Sequence, residues 1–445
     1  MNKSPLSPTL SPRVAGGEGE AHPATDRLLS RSSLPPSSAA KTDTRDRAQS
    51  KTLARSLGWA SLALLIFGLC QQPALAANPP GLYVQDGILK KDGLPYLGIG
   101  ANYFSLFSRL LDHPQDPSSF TNLAALAHAR IPFVRFMCGG FWPSEQRLYL
   151  TNREAFLQRL DRVVRCAETN GVGLIPSLFW FLPTVPDLVG ESVDQYGNPE
   201  SKTLGLLRRY TEDLVQRYKD SPALWGWEFG NEYNLDCDLP NAAEHRPPVV
   251  PGLGTAPRRT ERDELKFTQL RSAFAAFAET VRRFDSSRII VSGNAIPRAS
   301  AWHNVREKKW TADTAAQFGE MLIRDNPDPM NLLTIHLYPE TGGRYSGGAA
   351  TLEAELGLAS QYATHSGKPL FLGEFGVPHK LGTRAQQQAV FQELLDGIVK
   401  HRMPLSAFWV FDFGGQDKDW NVSFQNDRAW MIALVTKANE RLRER

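Results

Sequence analysis

Beyond residue 80 the hydrophobic positions alternate between two patterns. Short runs that are almost wholly apolar recur at residues 96–99, 133–136, 173–178, 223–228, 288–292, 332–335, 369–372 and 406–409. Continuous apolar runs of this length are expected of parallel strands covered on both faces. Between them, apolar residues return at helical spacing. Phe156, Leu160, Val163 and Val164 share one face of 155–169, and Leu206, Leu207, Tyr210 and Leu214 one face of 203–218. Stretches 267–284, 315–323, 352–364, 384–399 and 429–442 repeat the pattern, and Asp220-Ser221-Pro222 supplies an ordinary helix stop. Eight strand–helix units predict an α/β fold, a (β/α)8 TIM barrel with long loops after its strands. The competing arrangement, an open doubly wound sheet, lacks its dinucleotide fingerprint, because no Gly-x-Gly-x-x-Gly turn follows the first strand. The longest insertion, 236–262, is Pro-rich and follows the fourth strand. Loops on that face of a barrel shape the active-site cleft.

The N-terminus shows neither pattern. Residues 1–50 are rich in Ser, Pro, Thr, Ala and Arg, a low-complexity composition expected to stay disordered. Lys51 and Arg55 then precede an apolar run over 57–70, closed by Ala74-Leu75-Ala76. That order reads as a secretory signal peptide over 51–76, cleaved after Ala76. Its apolar run is shorter than the roughly 20 residues that span a bilayer. The expectation is a secreted or periplasmic protein, free of the membrane after cleavage, with 77–445 as its folded domain. Cys138, Cys166 and Cys237 remain in that domain. Cys166 lies in a helical pattern as a small hydrophobe, and a Cys138–Cys237 bridge requires their loops to meet.

Charge narrows the function further. Of 50 basic and 47 acidic residues, nine and five fall within 1–76, so the remainder carries 41 against 42. A body so balanced has no polyelectrolyte bias towards nucleic acid. Neither cysteines nor histidines fall at metal-binding spacings, so no metal or cofactor is expected.

The polar residues that end the apolar runs carry the candidate chemistry. They are Arg135 on the second strand, Asn231 and Glu232 on the fourth, His336 and Tyr338 on the sixth, Glu374 on the seventh and Trp409 on the eighth. A charge so placed is costly unless it is paired or catalytic. In a barrel these ends meet at one axial cleft. Two carboxylates ~5–5.5 Å apart there fit a retaining glycosidase, with Glu232 as acid/base and Glu374 as nucleophile. Arg135 and Tyr338 are expected to hold Glu374 ionised. Asn231 is expected to meet a sugar hydroxyl and Trp409 to stack on a sugar ring. Asn102 reads either as a subsite residue or as a turn former, and Trp180, like Trp142, Trp302 and Trp310, as a stacking platform or as packing. Glu228, also on the fourth strand, reads as a structural carboxylate paired with an arginine.

The segments Trp225-Gly226-Trp227-Glu228-Phe229-Gly230-Asn231-Glu232 and Leu372-Gly373-Glu374-Phe375-Gly376, with His336-x-Tyr338 between them and Trp409 after, resemble glycoside hydrolase family 5 and its clan of (β/α)8 retaining β-glycosidases. The resemblance runs from about residue 81 to the C-terminus. It implies Glu232 as acid/base, Glu374 as nucleophile, and Arg135, Asn231, His336, Tyr338 and Trp409 as the surrounding site. It departs at the end of the third strand, where the family commonly has a histidine and this chain has Phe179-Trp180-Phe181. The implied function is cofactor-free hydrolysis of a β-1,4-linked polysaccharide or oligosaccharide, mannan or glucan, by a monomer. An inert carbohydrate-binding barrel and a transglycosylase using the same glutamates are the alternatives, and endo or exo action stays open.

Overall fold

The computed structural model describes residues 78–339 and 351–444; the expected disordered segment and signal peptide lie outside them. Among the described residues no helix is long and apolar enough to cross a membrane.

A small antiparallel sheet comes first, made of β1 (Leu82–Gln85), β2 (Ile88–Lys91) and β3 (Leu94–Pro95). Eight strands follow: β4 (Gly98–Asn102), β5 (Phe133–Met137), β6 (Gly173–Phe179), β7 (Gly226–Gly230), β8 (Ile289–Val291), β9 (Leu333–Leu337), β10 (Leu370–Phe375) and β11 (Leu405–Phe408). Their order, β8-β7-β6-β5-β4-β11-β10-β9, is parallel throughout and nearly closes a (β/α)8 barrel. Every residue of these eight strands is buried, which explains the unbroken apolar runs. The gap between β8 and β9 has no strand ladder. It is bridged by Asn331, whose backbone N–H donates to the Ile290 carbonyl and whose side chain accepts from the Ile290 N–H, and by Ser292 against Thr334 at 2.7 Å.

The helices anticipated between the strands are present within a residue or two, for example Arg153–Asn170, Lys202–Tyr218 and Arg384–Lys400. Among those not anticipated are Ser118–His128, Pro143–Thr151 and Ala301–Glu307, besides the short helices Ser108–Asp112 and Thr184–Val189. The second carried a readable signal in Pro143 at its first turn and Glu145 reaching back to the Trp142 backbone. The first barrel strand begins at Gly98 rather than at residue 96, because Tyr96 turns away to pack edge-on against Trp225 beneath the barrel. There β1 and β2 stopper the N-terminal end. Leu82 and Leu89 join Phe133, Ile175, Trp225 and Ile289 in one apolar cluster, and the Leu82 N–H donates to the Trp225 carbonyl at 2.9 Å. Cys138, Cys166 and Cys237 are all free thiols, so the bridge considered above does not form.

Candidate active site

The opposite end of the barrel gathers the polar strand ends. Arg135, on β5, is fully enclosed and organises them. Its Nε donates to both oxygens of Glu228 at 2.8 and 2.9 Å, one terminal nitrogen donates to Glu374 Oε1 at 2.7 Å and Asn102 Oδ1 at 2.9 Å, and the other to Asn231 Oδ1 at 2.8 Å. One cation thus stands between two buried carboxylates, the condition under which such charges are tolerated. Glu228 is the structural partner the sequence suggested.

Glu374 comes from a strand with an irregular register. Pairing of β10 with both neighbours shifts between Leu372 and the residues after it, a bulge centred on Gly373. Bulges re-aim side chains. Glu374 Oε1 takes Arg135 and Oε2 takes the Tyr338 hydroxyl at 2.6 Å. Burial raises the Glu374 carboxyl above the ordinary carboxylate range, with Glu232 adding to the rise. Arg135 and Tyr338 pull it back, as anticipated, without outweighing burial. Burial and the neighbouring Glu374 also keep the Tyr338 phenol protonated, and so a permanent donor.

Glu232 sits differently. It follows β7 in a left-handed turn (φ +56°), held by its own N–H donating to the Gly293 carbonyl at 2.9 Å. Gly293, itself at φ +71°, allows that approach: a Cβ there would lie 1.9 Å from the Gly230 carbonyl oxygen. Strain of this kind, held by surrounding structure, is common at functional sites. Glu232 Oε1 lies 2.8 Å from His336 Nδ1. Burial pushes the imidazole down to about 4, so the ring is neutral above that pH. Its Nε2 rests over Gly373 with no hydrogen-bond partner among the described residues. An orphaned N–H costs more than an orphaned ring lone pair, so the proton belongs on Nδ1 and is donated to Glu232.

Carboxylate oxygens of Glu232 and Glu374 and a ring nitrogen of His336 all lie within 4.8 Å of one another. Such a trio can ligate a cation, but the guanidinium of Arg135 already occupies that electrostatic role at Glu374. The separation matches the ~5–5.5 Å of a double-displacement pair and falls short of the ~6.5–9.5 Å that leaves room for an inverting water.

Aromatic residues enclose the pair. Trp409 donates its Nε1–H to Gln416 at 2.8 Å and lies 6.0 Å from Trp180 at an interplanar angle of 28°. Trp420 meets Tyr338 edge-on at 4.9 Å. Gln416 and Trp420 escaped the sequence reading, since nothing in the local pattern of the eighth-strand loop ties them to the site. Two expected sugar contacts change role. Asn102 is wholly enclosed, its oxygen on Arg135 and its amide among the carbonyls of Gly373, Ala407 and Phe408, so it positions the guanidinium. Trp180 carries that guanidinium over its ring at 4.5 Å and is a cation–π support rather than an open platform.

The family model for cellulase (glycosyl hydrolase family 5) matches residues 118–415, more than half of the chain. A probable mannan endo-1,4-beta-mannosidase F from Aspergillus flavus is 39% identical over 84 residues, which are 17% of this chain and 18% of the relative; the match thus spans under a fifth of that protein. Among solved structures, an endo-1,4-beta-mannanase from Rhizomucor miehei superposes with a TM-score of 0.55 at 17% identity, covering 82% of this chain and all of that one. An exo-beta-1,4-mannosidase from Opitutaceae bacterium strain TAV5 gives 0.55 at 15% identity, covering 81% and 62%. Identities this low speak for the barrel alone, whereas the family model joins barrel and sequence: the chain belongs to glycosyl hydrolase family 5.

Proposed function

We propose that the protein is a retaining β-glycoside hydrolase acting on β-1,4-linked mannan or its oligosaccharides, with glucan as the second candidate. The observation that carries this reading is the close pair of strand-end glutamates in unlike surroundings. Glu374, with both oxygens fixed, attacks the anomeric carbon while Glu232 protonates the departing glycosidic oxygen. The bond between sugar and leaving group breaks as the bond to Glu374 forms. Glu232, now ionised, takes a proton from water, which attacks the same carbon from the opposite side and releases Glu374. His336 donates to Oε1 of Glu232. Asn231, whose oxygen is committed to Arg135, keeps its amide hydrogens for a sugar hydroxyl. Its similarity to proteins named as mannan-degrading enzymes favours mannan over glucan.

The reading is tested by Glu374→Gln on mannan, cellulose and aryl β-glycosides. Hydrolysis should fall to the detection limit on every substrate, and survival of more than a small fraction of wild-type turnover would refute it. Secretion through residues 51–76 is part of the same proposal, checked by the N-terminal sequence of the exported protein, which should begin at Ala77.

A further inference from the structure

The chain that leaves Glu232 is fixed by buried amide side chains. After the left-handed turn comes a short 3-10 turn, Tyr233–Asp236, in which the Leu235 N–H donates to the Glu232 carbonyl at 3.0 Å. Asn234 lies within it and is buried. Its Oδ1 accepts from the Ala295 N–H at 3.0 Å, and its Nδ2 donates to the Ala295 carbonyl at 2.9 Å. The same Nδ2 donates to Asp325 Oδ2 at 2.9 Å. The Asn234 backbone N–H donates to Asn294 Oδ1 at 3.3 Å, and Asn294 Nδ2 donates onward to the Asp325 carbonyl at 2.7 Å. Arg298 Nε donates to the Leu235 carbonyl at 2.8 Å.

Three segments meet at Asn234. They are the turn after β7 that presents Glu232, the loop after β8 that contains Gly293, and the end of the helix Ala315–Asp325, which leads to β9. No ladder joins β8 to β9, so here side chains supply the cross-links. A primary amide suits the position, because it must accept from a peptide N–H while donating to a peptide carbonyl and to a carboxylate. A carboxylate would lack the donors, and an aliphatic side chain would strand the polar groups of Ala295 and Asp325. Burial raises the Asp325 carboxyl to about 6, which leaves it ionised and an acceptor at neutral pH. It therefore faces the NH2 end of Asn234 and fixes which way round the amide sits. A polar network satisfied in this way is rigid.

The rigidity bears on one of the two glutamates. Glu374 is held by bonds to its own carboxylate oxygens, from Arg135 and Tyr338. The amide set instead holds the backbone from which Glu232 projects. A general acid must stand within hydrogen-bond reach of the oxygen it protonates, so its backbone has to be placed as well as its carboxyl. We infer that Asn234, oriented by Asp325, is the positioning residue for the acid/base Glu232. It acts through the turn and touches no substrate. This rests on the glycosidase reading above and adds a part to its machinery.

The test compares kcat/KM on dinitrophenyl and phenyl β-mannosides and β-mannobiosides, with the matching glucosides and cellobiosides beside them. The dinitrophenyl group departs without a proton, whereas the phenyl group needs one. Asn234→Ala should lower kcat/KM by about 10–10²-fold on the phenyl substrates and by less than about threefold on the dinitrophenyl ones. Asp325→Asn keeps the volume but weakens the contact, and should separate the two leaving groups in the same direction by a smaller factor. Asn234→Asp sets two carboxylates face to face and should separate them at least as far as alanine does. Adding Asp325→Asn to it reverses donor and acceptor and should recover most of the loss. A merely structural role would lower both leaving groups alike, or lower the unfolding midpoint with kcat/KM unchanged. Either result in the folded variants overturns the inference and leaves the glycosidase reading intact. Should Asn234→Ala fail to fold, Asp325→Asn and the double variant decide in its place. Failure of the wild type on every one of these glycosides would overturn both readings.

Discussion

The ends of β7 and β10 carry the same side chain in opposite circumstances. Glu374 is sealed, with one oxygen on a guanidinium and the other on a phenol. Glu232 stands on a left-handed turn, is 10% exposed at its side chain, and meets a neutral imidazole. Two groups of one intrinsic acidity are thus placed in unlike surroundings, the arrangement that the proposed division into nucleophile and proton donor requires. The two fixed partners of Glu374 suit the proposed line of attack.

The contrast can be broken most completely at the carboxylates. Loss of Glu374 should abolish turnover whatever the leaving group. Glu232→Ala should cost about 10²–10⁴-fold on natural oligosaccharides and far less on activated aryl glycosides, whose leaving groups need no proton. Equal losses on both substrate types would dissolve the assignment. Arg135→Met removes the cation from between Glu228 and Glu374. It should destabilise the fold by about 3–5 kcal/mol in urea unfolding, because it strands buried charge. Adding Glu228→Gln should recover part of that loss. Gly293→Ala acts first on the Glu232 side: its Cβ would press on the Gly230 carbonyl at 1.9 Å, and more lightly on the Glu228 carboxylate at 2.9 Å, so the turn must move. A displacement near 1 Å can cost about 10²-fold in kcat, and here the loss should again be greater for poor leaving groups.

The gentlest change is Tyr338→Phe. The phenol's hydrogen bond lowers the Glu374 pKa against a burial effect that raises it. The nucleophile works ionised, so the acid limb of kcat/KM for the wild type should lie above the ordinary carboxylate range. Removing the bond should move that limb to still higher pH. A downward shift would mean that another group governs the limb.

These arrangements were unequally legible in the sequence. The barrel strands announced themselves as unbroken apolar runs, and both glutamates stood out because each interrupts one. Glu228 could be read as structural for the same reason. What pattern cannot supply is the partner across the fold. Nothing local says that Asn102 faces three carbonyls from β10 and β11, or that Trp180 is spent on Arg135. The 236–262 insertion was visible only as a Pro-rich stretch, because Arg259 and Arg262 pair with Asp187 and Asp194, some seventy residues away. The stopper of β1 and β2 was missed because four-residue strands are too short to display a period.

One feature of the barrel reaches beyond statics. Its hoop is laced by backbone ladders everywhere except between β8 and β9, where one backbone hydrogen bond and the side chains of asparagine, serine and threonine do the fastening. Gly293, which cradles the Glu232 turn, follows one lip of that seam, and His336, which touches the Glu232 carboxylate, stands on the other. The one seam without a ladder thus runs beside the turn that carries Glu232, so any opening there would be felt by the proposed proton donor before it reached Glu374.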